Sequence, residues 1–235
     1  MRACITTAVV VWGLSLCVPA LGDGPAGRLP ESAAAEVALL LAESPAGGKV
    51  EVAANGSFAV SGLRMPAAGG VKESAEALLA RHGRIWSEDG TVSVVVEKVE
   101  RSAYGTVVRA ALRVGEVRVA SGNVRLSFDR DGNLTRLASD VPGGLRVDGT
   151  FVLTAEQAAA AAERFVEEKG GGPAPEAGSA GRVYVALADG RLRPAWRCPF
   201  VTDDLVSSFV VTIDGETGEF LASERAGLVD QGGKR

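Results

Sequence analysis

From Thr91 onward, apolar and polar residues alternate over a series of short segments that are dense in valine. A period of two places successive side chains on opposite faces of a strand, so each segment predicts a strand. The predicted strands are residues 91–99, 106–114, 116–120, 124–128 and 134–139. The Asp-Gly pair in the turn 129–133 is typical of a hairpin. Together these features predict an antiparallel meander rather than parallel strands joined by helical crossovers.

Helical segments precede predicted strands at three places. Residues 71–84 repeat apolar side chains with the helical period, and residues 33–43 are rich in alanine and leucine. A capping box at Thr154 and Gln157 begins a third helix, which runs to about Lys169. Four predicted strands follow this helix, at 182–188, 191–201, 207–213 and 219–223. We therefore predict an α+β fold of two small domains, each with a helix packed on an antiparallel β-sheet.

The predicted organisation of the chain follows from these elements. It comprises a leader at 1–22, a spacer with a short helix at 23–46, a first domain at 47–148, a second domain at 149–224 and a flexible tail at 225–235. A hairpin of strands 49–52 and 57–60, around the turn Asn55-Gly56, opens the first domain.

Residues 1–22 have the order of a secretory signal peptide, with a basic start at Arg2, an apolar run, and small residues at Ala20 and Gly22. The apolar stretch is shorter than the roughly 20 residues that a membrane-spanning helix needs. Cys17 leaves a lipid-modified alternative open, although Leu16 is large for the position before such a cysteine. The chain is predicted to be secreted or periplasmic through a cleaved signal peptide, with no membrane attachment after signal removal.

Histidine sets a strict limit, because His82 is the only one among 235 residues. Its position beside Leu78 on the apolar side of the predicted helix 71–84 predicts a histidine at the edge of the core or on the surface. Zinc sites that need two imidazoles, including those of His-x-x-x-His peptidases, are therefore excluded. Acidic residues outnumber basic ones by 29 to 25, which disfavours nucleic-acid binding. Cys4 and Cys17 lie in the leader, which leaves Cys198 alone. Its strand-like surroundings predict a buried structural thiol rather than a nucleophile.

Two groups of carboxylates are candidate cation sites. The turn 129–133 could form half of a calcium site, but its glycine falls one position too early for the helix-loop-helix pattern, which favours a hairpin turn. Asp214, Glu216 and Glu219 could bind a cation or act in acid–base chemistry, but alternation along the turn directs them apart. No catalytic residue, cofactor or metal ligand is therefore predicted.

The second predicted domain has a helix followed by strands that contain Leu-Arg-Pro-Ala-Trp at 192–196. It closes with Val-Val-Thr-Ile-Asp-Gly-Glu-Thr-Gly-Glu-Phe-Leu at 210–221, which is similar to an Asp-x-x-Thr-Gly-Glu ending. This domain resembles a PepSY domain. Its family-motif residues are Trp196, Asp214, Thr217, Gly218 and Glu219, and Trp196 is expected to fill the core of the domain.

The first predicted domain carries Gly-Ser-Phe-Ala-Val-Ser-Gly at 56–62 and Ala-Leu-Leu-Ala-Arg-His-Gly at 77–83. It also carries the pair Val108-Arg109 in a predicted strand. The strand sequences at 117–121 and 124–132 follow in order. This domain resembles the fungalysin/thermolysin propeptide (FTP) domain, which implies a cystatin-like unit. The two resemblances span about residues 47–222. The chain departs from the family at Ala111 and Leu112, which replace glutamines, and at Arg118, which replaces a proline.

The two families form the pro-region of secreted thermolysin-like metallopeptidases, whose catalytic domain would begin where this chain stops, at Arg235. The resemblance implies a non-catalytic, propeptide-like protein that binds, inhibits or chaperones a thermolysin-like metallopeptidase in trans. The three replacements imply that the protease contacts which these positions make in the family are missing in this chain. One alternative is an extracellular or envelope PepSY-type module with an unrelated protein partner. Another is a remnant pro-region whose catalytic partner has been lost.

Overall fold

The computed structural model describes residues 27–170, 178–201 and 208–226. The predicted signal peptide with Cys17, and the predicted tail beyond residue 226, lie outside the described residues. Three α-helices in the described part, α1 (Glu31–Ala42), α2 (Val71–Arg81) and α3 (Ala155–Gly170), match the predicted helices, and a 3-10 helix at Gly83–Ile85 follows α2. None of the described helices combines the length and apolar character needed to cross a membrane.

Strands make up most of the remaining described residues and confirm the α+β class. They are β1 (Lys49–Val52), β2 (Phe58–Pro66), β3 (Val92–Ser102), β4 (Gly105–Val114), β5 (Val117–Phe128), β6 (Asn133–Ser139), β7 (Arg146–Val147), β8 (Gly181–Ala186), β9 (Arg191–Val201), β10 (Ser208–Asp214) and β11 (Phe220–Ala226). The short strand β7 was not predicted. The last strand reaches Ala226, so the first two residues assigned to the flexible tail belong to a sheet instead.

Strand pairing is mostly antiparallel, as predicted, but it does not separate the chain into two unconnected sheets. The first group runs β1-β2-β6-β5-β4-β3, and the second runs β8-β9-β10-β11. They are joined by a short parallel pairing in which Val119 and Ala120 of β5 lie beside Tyr184 and Val185 of β8. A second short parallel pair joins β7 to β9. Because β5 pairs with β8, the two groups of strands form one curled sheet.

The strand β5 replaces two predicted strands, at 116–120 and 124–128. The chain continues as a strand through Ser121, which has φ = 57°, a backbone conformation that non-glycine residues rarely adopt. Because of this local irregularity, β5 pairs with β8 before Ser121 and with β6 after it. The two segments that were predicted as separate strands are therefore one strand that changes its partner.

Helices α1 and α2 cover one face of the first group of strands. Val37 and Leu40 of α1 and Leu79 of α2 are buried there, together with the inward side chains of β2, β4, β5 and β6. Trp86 is fully buried, and its indole N–H donates to the Ser139 hydroxyl at 3.0 Å. The burial of this apolar face is the main stabilisation of the first group.

His82 ends α2 and was predicted at the edge of the core or on the surface. It is instead buried, with 2% of its side chain exposed. Its Nδ1 lies 2.9 Å from Oε1 of Glu36 on α1, and its Nε2 lies 3.3 Å from Oε1 of Glu43. The prediction was wrong because α1, which is far from His82 in sequence, folds over it, and a carboxylate in α1 and another at its C-cap both lie against the ring.

Helix α3 lies on the second group of strands. The predicted capping box is confirmed, since the Thr154 backbone N–H donates to Gln157 Oε1 at 2.9 Å and the Gln157 N–H donates to Thr154 Oγ1 at 3.3 Å. Ala158 and Ala162 are fully buried against β9 and β10, because small side chains let the helix lie close to the sheet. Phe165 stacks on Phe220 of β11 with ring centroids 3.9 Å apart.

Candidate functional site

The motif at the end of β10 forms a tight turn around a buried carboxylate. Asp214 has 1% of its side chain exposed, and its Oδ1 accepts hydrogen bonds from the backbone N–H groups of Glu216 and Thr217, each at 2.9 Å. Gly218 has φ = 78°, a conformation that favours glycine, and its N–H donates to the Asp214 carbonyl at 3.1 Å. The Asp214 carboxylate thus fixes this turn from inside.

The second oxygen of the Asp214 carboxylate faces β9. Its Oδ2 lies 3.1 Å from Nη2 of Arg193, whose side chain is one-third exposed. The carboxylate is therefore paired with one cation and two backbone donors, as a buried charge requires. Thr217 accepts a hydrogen bond from the N–H of Glu219 at 3.3 Å, while the Glu216 and Glu219 residues are exposed. The three acidic residues do not share a site, which agrees with the predicted turn chemistry.

Trp196 is buried beside this turn, as predicted, with 5% of the residue exposed. It pairs with Ile213 across β9 and β10, and the Phe151 ring meets it edge-on with centroids 5.8 Å apart. The guanidinium of Arg182 lies 5.3 Å from the Trp196 ring centroid and 5.0 Å from that of Phe151. Aromatic packing and a cation–π contact therefore hold Trp196 between α3 and the sheet.

Arg109, which the sequence resemblance also singles out, lies away from this group. It projects from β4 on the face of the sheet opposite α1 and α2, and its Nε donates to Oε2 of Glu100 at 2.9 Å. Of the two departures near it, Leu112 belongs to the core, and Ala111 is fully buried on the face that carries Arg109. The side chains at these two positions are therefore unable to contact a partner.

Cys198 lies on β9 in the same cluster as Trp196 and is fully buried, as predicted. Burial, with a smaller contribution from the charge of Glu163, raises the pKa of the Cys198 thiol to about 11. The thiolate is the reactive form, so this thiol is unreactive near neutral pH.

We expect a thiol reagent such as iodoacetamide to leave Cys198 unmodified in the folded chain near pH 8 and to modify it fully in urea. Because the thiol pKa is about 11 in the folded chain and ordinarily 9.0, an unfolded chain loses this proton first as the pH rises. The contribution of Cys198 to folding stability should be complete below about pH 9 and decline towards about pH 11. Rapid modification of the native protein would contradict this account.

A cleft of about 380 Å³ lies where the two groups of strands join, within the size range of ligand pockets. Its polar lining comes from Asn55, Ser121, Asp140, Arg197, Thr212 and Glu224. Sequence reasoning missed this cleft, because its residues come from strands that are distant in sequence. A non-glycine residue with positive φ, such as Ser121, is a form of strain that often occurs at functional positions.

The charged groups of the cleft are already paired within the chain. Arg197 pairs with Glu224, and Asp140 Oδ1 accepts from Arg125 Nη2 at 2.7 Å. The cleft therefore suits a neutral polar group better than an ion. Among residues 27–170, 178–201 and 208–226, no three His, Cys, Asp or Glu side chains are placed to hold a metal ion. At the turn 129–133, Asp129 accepts hydrogen bonds from the backbone of Asp131 and Asn133, as expected for a hairpin turn.

Comparison with known proteins gives only distant similarities. No family model matches the chain, and no curated protein matches it. Among solved structures, the chain is similar to the YpeB C-terminal domain of Bacillus megaterium, with 11% identity, 86% of this chain and 99% of that chain covered, and a TM-score of 0.37. It is also similar to a candidate lipoprotein of Clostridium difficile 630, with 12% identity, 69% of this chain and 94% of that chain covered, and a TM-score of 0.26.

Proposed function

We propose that the chain is a non-catalytic, propeptide-like binding module that acts outside the cytoplasm after a signal peptide is removed. Its proposed parts are an FTP-like, cystatin-like unit at 47–148 and a PepSY-like unit at 149–224. The observation that carries this proposal is the turn around Asp214. Each of the motif residues Asp214, Thr217 and Gly218 has a structural role there, as expected of a fold signature rather than of a reactive site.

The two-unit division is supported by the distribution of buried apolar side chains. One cluster lies between α1, α2 and the first group of strands, and a second lies between α3, β9 and β10. Leu192 of β9 belongs to the first cluster, so the two proposed units share apolar packing at their junction. Such packing favours a fixed arrangement of the units, which a binding surface spanning both would need.

The proposed partner is a secreted thermolysin-like metallopeptidase, bound in trans and either inhibited or assisted in folding. The resemblance to propeptide domains supports this choice. The burial of Ala111 and Leu112 means that the proposed contacts have to come from other positions. A standard interface buries about 800 Å² on each side, which exposed sheet and loop surfaces together can supply.

The proposal is tested by mixing the secreted chain with a purified thermolysin-like metallopeptidase and following complex formation by size-exclusion chromatography. We expect the two to elute together, with a dissociation constant in the micromolar range or below. A secreted serine protease of similar size is the matched control and should elute separately. If the metallopeptidase and the chain elute separately even at high micromolar concentration, the proposed partner is wrong.

Two other functions are distinguished by the same experiment. A PepSY-type module with an unrelated envelope partner would leave metallopeptidases unbound but retain a different extracellular protein. A remnant pro-region would retain neither.

A further inference from the structure

The face of the sheet opposite α1 and α2 is rich in arginine over strands β3 to β6. We call this surface the arginine face and define it by the outward side chains of these four strands. Its basic members are Lys98, Arg109, Arg113, Arg118, Arg125 and Arg136.

Register places three of these cations side by side in one row. Lys98 of β3 is the direct partner of Arg109 on β4, and Arg109 is the direct partner of Arg125 on β5. Like charges that lie directly opposite on neighbouring strands destabilise a sheet. A row of three cations is therefore not explained by the stability of the fold.

The acidic residues of this face are too few to neutralise it. Glu100 is shared, lying 2.8 Å from Lys98 Nζ and 2.9 Å from Arg109 Nε.

Glu97 is shared in the same way by Arg113 and Arg118, at 3.4 and 3.1 Å. Asp140 pairs with Arg125. No carboxylate of the described residues lies within 4.0 Å of the Arg136 guanidinium. Arg136 acts only at longer range on Glu51 of β1, whose pKa is lowered mainly by Lys49 and also by the charge of Arg136. Each shared carboxylate leaves one positive charge in excess.

The cations of this face are also accessible to solvent. The exposed fractions of the Arg109, Arg125 and Arg118 side chains are 54%, 47% and 44%. Ala111 lies between Arg109 and Arg113 on β4, and Ala138 is the direct partner of Arg125. These small side chains leave room for the aliphatic parts of the arginines to pack along the sheet. The guanidinium groups are thus presented to solvent with donors unused.

The charge of the face is opposite to that of the rest of the chain. The six basic side chains, together with the three carboxylates that pair with them (Glu97, Glu100 and Asp140, the last just beyond β6), carry a net charge of +3. The whole chain carries −4, so the remainder carries −7. A nucleic acid would meet this acidic remainder and the carboxylates set among the arginines, both of which repel phosphates. An acidic protein surface, with spaced carboxylates and its own few cations, fits this mixed pattern better.

We infer that the arginine face is a docking surface for an acidic patch on a partner protein. This inference deepens the proposed function by naming where and by what chemistry the partner is held, but it applies to any acidic protein partner.

The inference is tested with fluorescently labelled poly-L-glutamate as the probe and anisotropy as the readout. We expect the full secreted chain to bind the probe, and the affinity to fall at least tenfold between about 50 and 500 mM salt because exposed charges are screened. The variant R109E/R125E should bind at least about tenfold more weakly. R109Q/R125Q, which adds no acidic charge to the face, should also bind the probe more weakly than the wild type. It keeps the inference testable if the charge-reversed variant fails to fold.

The matched control is R28E/R146E, which makes the same change in net charge at exposed positions off this face. We expect it to retain near wild-type binding. Equal weakening by both charge reversals would overturn the inference, as would tighter binding to duplex DNA than to poly-L-glutamate at equal salt.

The two proposals fail in different ways. If a metallopeptidase binds R109E/R125E and R109Q/R125Q as tightly as the wild type, the docking surface is wrong while the proposed function stands. If poly-L-glutamate binding maps to the arginine face but no metallopeptidase binds, the proposed partner is wrong while the docking surface stands.

Discussion

Replacing Trp196 with alanine is expected to lower the free energy of unfolding by about 3–5 kcal/mol. The residue is 5% exposed, and its removal leaves a cavity between α3, β9 and β10 that neighbours such as Phe151 are unable to fill completely. A domain is typically stable by about 5–15 kcal/mol, so this loss is a large share of the total. Urea denaturation followed by circular dichroism measures it.

The matched control for this substitution is Tyr104→Ala. Tyr104 is also aromatic but is 84% exposed, so its truncation should change the free energy of unfolding by about 0.5 kcal/mol or less. If Trp196→Ala and Tyr104→Ala have the same unfolding midpoint, Trp196 is not the core residue described above.

Replacing Asp214 with alanine is expected to cost about 3 kcal/mol of folding stability. The substitution removes the acceptor for the backbone N–H groups of Glu216 and Thr217 and leaves Arg193 without its buried partner. Asp214→Asn, which keeps an amide oxygen as an acceptor but loses the charge, should lie between alanine and the wild type. Chemical denaturation at neutral pH provides the comparison.

The same turn contains a control for Asp214. Glu219 belongs to the same motif, but it is exposed and takes part through its backbone atoms. Glu219→Ala should therefore change the free energy of unfolding by about 0.5 kcal/mol or less. A larger loss for Glu219→Ala than for Asp214→Ala would show that the motif acts through its exposed carboxylate and not through the turn.

Much of the fold could be predicted from local patterns, since those patterns have local physical causes. The capping box at Thr154 and Gln157, the turn at 129–133 and the strand alternation in β4 all depend on neighbours in sequence. The burial of Trp196 and Cys198 followed from their place in an alternating strand. In these cases the residues that decide the structure are within a few positions of one another.

The features that could not be predicted depend on contacts between distant segments. His82 is buried because Glu36 of α1 and Glu43 at the C-cap of that helix lie against it, and no pattern around His82 reveals this. The pairing of β5 with β8 also joins residues distant in sequence, and it goes with the unusual backbone of Ser121. The cleft between the two groups of strands exists only through that pairing.

The arginine face combines both kinds of information. Each of its arginines is visible in the sequence, and alternation indicates that each points away from the core. Their alignment into one row depends on the registers of β3 with β4 and of β4 with β5, including a bulge in each pair. A shift of one residue in either register would move the side chains to the opposite face and abolish the row.

The claim that this chain acts by binding another protein is tested most directly by the hydrolysis of a fluorogenic peptide, measured with a thermolysin-like metallopeptidase and increasing amounts of the chain. The account predicts that the chain alone cleaves no peptide and that it slows the metallopeptidase in a saturable way. Zinc-dependent cleavage by the chain itself, abolished by substitution of a single carboxylate, would contradict it.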